Sequence, residues 1–172
     1  MNQPSSLSLD QAPPILVPLR FFLSAPLFSL AAALLLLWQG PDMLLNRWHP
    51  ALLGATHMLT LGFLGLIMMG AIMQMLPVVA GTPVRHPLWA AGIIHTLGMA
   101  GIMLLVSGLT LTSPLTLRFS MPLLGTALLG FAALVLYTLR TAQANNMTAR
   151  AMRLAALMLA ATGGIDVNWA GI

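Results

Sequence analysis

The sequence predicts an all-α protein of the membrane: a polytopic transmembrane helical bundle of four firm spans plus one marginal C-terminal span. Three observations predict it. Of 172 residues, 59% are hydrophobic and 6% charged, whereas a soluble domain carries about a quarter charged residues. Apolar stretches of the length that crosses a bilayer, roughly 20 residues, alternate with short connections punctuated by Pro, Gly and Asn: "QGPD", "GTPVRHP", "TSP" and "AQANN". An exposed strand edge cannot be satisfied in lipid, so the spans are read as helices.

The elements follow in order. Residues 1–14, "MNQPSSLSLDQAPP", are polar and lack the basic start of a signal peptide. They are read as a poorly ordered cytoplasmic tail. A transmembrane domain over 15–172 then holds spans at about 15–38, 51–79, 87–111, 119–139 and 150–172. Short links make neighbouring helices antiparallel hairpins. Trp38, Trp48, Trp89 and Tyr137 fall at span ends, as an interfacial aromatic belt requires. The fifth span is uninterrupted only from Leu154 to Ile165. That is ~18 Å of helix against a hydrocarbon core of ~30 Å. Two readings stay open: a span that just reaches the outer face, with Trp169 at the belt, or a fragment whose C-terminal half is missing.

Composition also excludes chemistry. There is no cysteine, so disulfides and thiolate sites are ruled out. No serine or aspartate stands near a histidine in a nucleophilic pattern, and no phosphate loop is present, so no catalytic residue is nominated. The net charge of +4 reports orientation in the bilayer rather than nucleic-acid binding, which is not expected. Arg20, Arg85, Arg140, Arg150 and Arg153 fall on one side and Arg47 and Arg118 on the other. The positive-inside bias therefore puts the N-terminus in the cytoplasm, in a bacterial inner membrane.

The candidate sites are polar or soft groups inside spans. His49 ("RWHP") and His86 ("VRHP") lie in loops beside arginine and read as solvated interfacial groups. His57 and His95 lie within spans, where an ionisable residue is a functional hypothesis and the plainer reading is a neutral imidazole bonding between helices. For His95 the plainer reading is preferred. A depth ruler centred on Thr82–Pro83–Val84 levels His95 with about Met73 and His57 with about Thr110. The two imidazoles are then roughly 22 Å apart in depth, too far to share a metal whose bonds to nitrogen are about 2 Å. Met69 and Met73, and Met99 and Met103, are i, i+4 pairs on single helix faces. Thioethers select Cu(I), so Met69, Met73, Met99, Met103 and His95 form a candidate copper set, beside the reading of flexible apolar filling. Gly54 and Gly62 flank His57 and would admit a neighbouring helix or a flat cofactor.

The pattern around span two resembles the first helices of the NnrS family, polytopic bacterial membrane proteins that bind haem and copper and are linked to the nitric-oxide response. More distantly it resembles subunit I of haem–copper oxidases. The residues that carry the resemblance are Arg20-Phe21-Phe22-Leu23 after Pro18, then His57, Gly62-Phe63, Gly70, Pro77 and Gly81. It covers Pro18 to about Leu111. The family's second histidine and glutamate correspond to Ala55 and Met58 here, so roles of those groups do not transfer. Relatives of this kind have many more spans, and this chain would be less than half of one. The resemblance implies b-type haem (haem b) on His57, with electron transfer or nitric-oxide-related chemistry as the setting.

Three functional expectations result: haem binding through His57 with Gly54 and Gly62 beside it; Cu(I) binding or carriage by the methionine set; and a cofactor-free structural fragment. Oxidase or reductase activity is not expected of this chain alone. The expected partners are membrane lipid and either a second copy of the chain (a homo-oligomer) or a missing C-terminal half. The orientation is checked by reporter fusions. A fusion at Arg85 should lack periplasmic alkaline phosphatase activity, and activity there would reverse the assignment.

Overall fold

Five helices form from the apolar stretches. They are α1 (Leu16–Gln39), α2 (Pro50–Ala80), α3 (Pro87–Thr110), α4 (Pro114–Thr141) and α5 (Met147–Trp169). The structure is a computed structural model that describes residues 12–81, 83–141 and 147–169. Helices α1 to α4 are each long and apolar enough to cross a membrane. Helix α5 has 23 residues but is not among them. The protein is therefore a multi-pass, all-helical bundle.

Local chemistry sets the helix ends. Pro50, Pro87 and Pro114 open α2, α3 and α4, at the position where a missing N–H leaves no intrahelical bond unmade. Helix α4 thus starts at Pro114, where the sequence placed the span near Phe119. Arg118, just ahead of the expected start, sits exposed on the early turns of the helix. Helix α2 runs through Pro77 and stops at Gly81, whose φ of 67° is a left-handed helix stop. The first connection holds a short 3-10 turn, Pro41–Leu45, that buries Met43.

Within α2, Met58–Gly65 is wound as a π-helix, a widened turn that single-sequence periodicity does not announce and that is frequent at functional sites. Three side chains around its start reach back to carbonyls four residues earlier. Thr56 Oγ1 donates to the Leu52 carbonyl, the His57 Nδ1 bonds the Leu53 carbonyl, and Thr60 Oγ1 donates to the Thr56 carbonyl, each at 2.8 Å.

Packing is antiparallel and sequential. Helix α3 lies against α4 and α4 against α5, while α1 runs along the length of α2. The core gathers Phe21, Leu66, Met73, Leu76 and Leu139, all fully buried. Helix α4 packs on the Leu66–Ala80 half of α2, whereas the Pro50–Gly65 half is flanked mainly by α1 and α3. Thr56, Leu59 and Thr60 are left exposed there. Between α4 and α5 the Arg153 guanidinium reaches across to donate to the Leu139 carbonyl at 2.7 Å.

In lipid, tails are as apolar as side chains, so close backbone approach rather than hydrophobic exclusion holds helices together. Gly101 is the tightest such point between α3 and α4: a Cβ there would sit 2.9 Å from the backbone nitrogen of Leu124. Gly130 of α4 has nothing within 4 Å of the same position. Gly101→Ala should lower stability by about 1–3 kcal/mol, the usual cost of overpacking. Gly130→Ala should be neutral or stabilising by up to ~1 kcal/mol. Thermal unfolding in detergent measures both, and equal effects would contradict the packing described.

Candidate functional site

The Pro50–Gly65 half of α2 carries His57, and its geometry follows from the helix. The imidazole is half-buried, and its Nδ1 lies 2.8 Å from the Leu53 carbonyl one turn back. A carbonyl only accepts, so Nδ1 carries the proton. Neutral imidazole has one N–H, so with the proton on Nδ1 the lone pair is on Nε2, which has no partner among the described residues. Metal-bound histidines are typically held in this way, through the ring nitrogen that does not bind metal.

The surroundings of His57 differ from the expectation of an open cleft. A Cβ on Gly54 would meet the Thr110 methyl, with Val106 behind it, and a Cβ on Gly62 would run into the Phe28 ring. Both glycines are therefore covered, Gly54 by α3 and Gly62 by α1. They let helices touch and leave no slot for a flat ring on those two faces. The side of α2 that is open near His57 carries exposed Thr56 and Thr60.

His95 sits in a closed environment. Its Nε2 lies 2.9 Å from Ser24 Oγ of α1, and its ring stands edge-on to Phe21 with centroids 5.1 Å apart. Ser24 Oγ is also 2.9 Å from the Arg20 carbonyl. With the hydroxyl proton on that carbonyl, His95 donates and Ser24 accepts. This is a polar tie between α1 and α3. Nothing near His95 in sequence signalled Ser24, which lies 71 residues away; a small polar residue inside an apolar span was the only hint.

The contacts of α1 also recalibrate depth. Phe28 faces Gly62 and Phe21–Phe22 face Gly70, so Ser24, and His95 with it, falls near Leu66–Ile67 of α2. The depth between His57 and His95 is then nearer ~13 Å than ~22 Å at the helical rise. The ruler assumed untilted helices and a symmetrical turn. The conclusion that one ion cannot bridge the two is unchanged, and no group of three or more His, Asp or Glu able to hold a metal exists among the described residues.

The candidate copper set divides. Met99 and Met103 line a groove of about 450 Å³ between α1 and α3, joined there by Met58 of α2, with Phe28 and Thr110 on its walls. Met73 is buried in the core and Met69 packs against it. His95 is engaged by Ser24. Sequence spacing paired methionines within helices but could not assign them to a common space across helices, and so missed Met58.

His49 Nδ1 accepts the Ala51 N–H at 3.3 Å and caps α2. His86 is exposed with φ 48°, at the turn before Pro87. Neither joins a site.

Ser24→Ala would strand the His95 N–H in an apolar setting, so stability should fall by roughly 1 kcal/mol. The double variant Ser24→Ala/His95→Leu should recover part of that loss, because both polar partners go together. Chemical unfolding in mixed micelles tests the cycle, and strictly additive losses would exclude the bond. No protein-family model, curated protein or solved structure matches the chain, so the chemistry of the site rests on its own residues.

Proposed function

We propose that this multi-pass protein binds a b-type haem whose iron the His57 Nε2 would hold, at an interface with a second copy of the chain or with another membrane subunit. One observation carries the reading: Nδ1 is bonded to the Leu53 carbonyl, which orients the ring and leaves Nε2 without a partner among the described residues. The donor fits a haem iron. The faces at Gly54 and Gly62 do not fit a porphyrin, being filled by Thr110 and Phe28. A haem would therefore have to approach from the Thr56–Thr60 side, where both side chains are exposed. The resemblance of span two to NnrS-type proteins supports the same assignment, with electron transfer or nitric-oxide-related chemistry as the setting. Bound haem supplies redox and diatomic-gas chemistry. The chain's own part is to orient one ligand and keep its surroundings apolar.

The arginine distribution supports a cytoplasmic N-terminus in a bacterial inner membrane. A second reading has its own observation: three thioethers, Met58, Met99 and Met103, meet in one apolar groove, a donor set suited to Cu(I).

Visible absorption of the purified protein, expressed with ample haem, separates the readings. A Soret band should be present, vanish in His57→Ala and persist in His95→Ala. A colourless wild-type protein, or an unchanged His57→Ala spectrum, would defeat the haem reading. Copper retained after Cu(I) loading and lost in Met99→Leu/Met103→Leu would favour the second.

A further inference from the structure

At the end of the bundle where α1 begins, a groove of about 680 Å³ lies between α1 and α3. Arg20 and Trp89 line it, with Leu88, Ile93 and Leu97 along its wall. Gly92 forms its floor. A Cβ there would sit 2.9 Å from the Arg20 Nη1, so the missing side chain lets the guanidinium lie across α3. Arg20 Nε donates to the Leu16 carbonyl at 3.2 Å. Its two terminal nitrogens have no protein acceptor among the described residues. Asp42, the one carboxylate with a described side chain, follows the opposite end of α1.

We infer that this groove binds one anionic phospholipid, its phosphate on the Arg20 guanidinium and an acyl chain along Leu88, Ile93 and Leu97. Charge complementarity selects the occupant. The guanidinium presents a planar fork of donors that matches phosphate oxygens, and the remaining wall is apolar. Trp89 is 76% exposed, at the depth where an indole sits among headgroups. A free phosphate ion would meet the fork but leave the apolar wall uncovered.

The test uses the full chain with Trp38, Trp48 and Trp169 each replaced by Phe, so that Trp89 alone fluoresces. Brominated phosphatidylglycerol should quench Trp89 about tenfold more effectively, per mole of lipid, than brominated phosphatidylcholine, the ratio that ~1.4 kcal/mol of preference gives. Arg20→Gln should bring the ratio to near one, Arg140→Gln should leave it unchanged, and millimolar inorganic phosphate should not relieve the quenching. Equal quenching by the two lipids, a preference that survives Arg20→Gln, or displacement by phosphate would each overturn the proposal. Should Arg20→Gln fail to fold, the comparison of the two lipids on the parent protein decides alone.

Discussion

The constraint that organises this molecule is the absence of water in the bilayer core. Every polar group inside a span must find a partner within the protein. Ser24, Thr56, Thr60, Thr96, Thr110 and Thr126 all meet it by donating to carbonyls of their own helix, mostly one turn back. His57 follows the same rule through Nδ1, but an imidazole has a second nitrogen that a hydroxyl lacks. His95 resolves that by reaching Ser24 on another helix. His57 has one intrahelical bond and one nitrogen without a partner among the described residues, and that difference separates a structural histidine from a candidate ligand.

Packing then decides which side of α2 can be used. Gly54 and Gly62 bring α3 and α1 into contact with the Pro50–Gly65 half of the helix, closing two faces. Helix α4 packs on the Leu66–Ala80 half. The π-helical turn from Met58 to Gly65 lies at the boundary between these two environments. A widened turn shifts the helical phase, so the faces presented above and below it need not align. The Pro50–Gly65 half thus combines closed glycine faces with an exposed edge at Thr56 and Thr60.

Much of the architecture was legible because lipid imposes long apolar runs with few solutions. Four spans were readable from length alone, although the proline that opens the fourth helix, Pro114, was read as part of the link before it. The start of the fourth span was less legible: the helix begins at Pro114, five residues before Phe119, with Arg118 exposed on it. The marginal length of the fifth apolar run was visible, and α5 is helical yet not apolar enough to join the other four. The candidate site was less legible. A histidine inside a span is conspicuous, but its free nitrogen depends on a hydrogen bond whose geometry only the folded helix fixes. The glycines near it were visible as small residues. Whether they received a helix or a cofactor depended on Phe28 and Thr110, residues distant in sequence. Met58 went unassigned because a shared groove is a property of three helices together.

The central claim is that His57 holds its proton on Nδ1 and keeps Nε2 as a lone pair inside the membrane. Solid-state ¹⁵N NMR of selectively labelled histidine in lipid bilayers, with His57 assigned by its loss in His57→Gln, reads this directly. The cofactor-free protein at neutral pH should show His57 with a protonated Nδ1 and an unprotonated Nε2. A protonated Nε2 with a bare Nδ1 would contradict the account, because the nitrogen free to bind a metal would then be the one facing the Leu53 carbonyl.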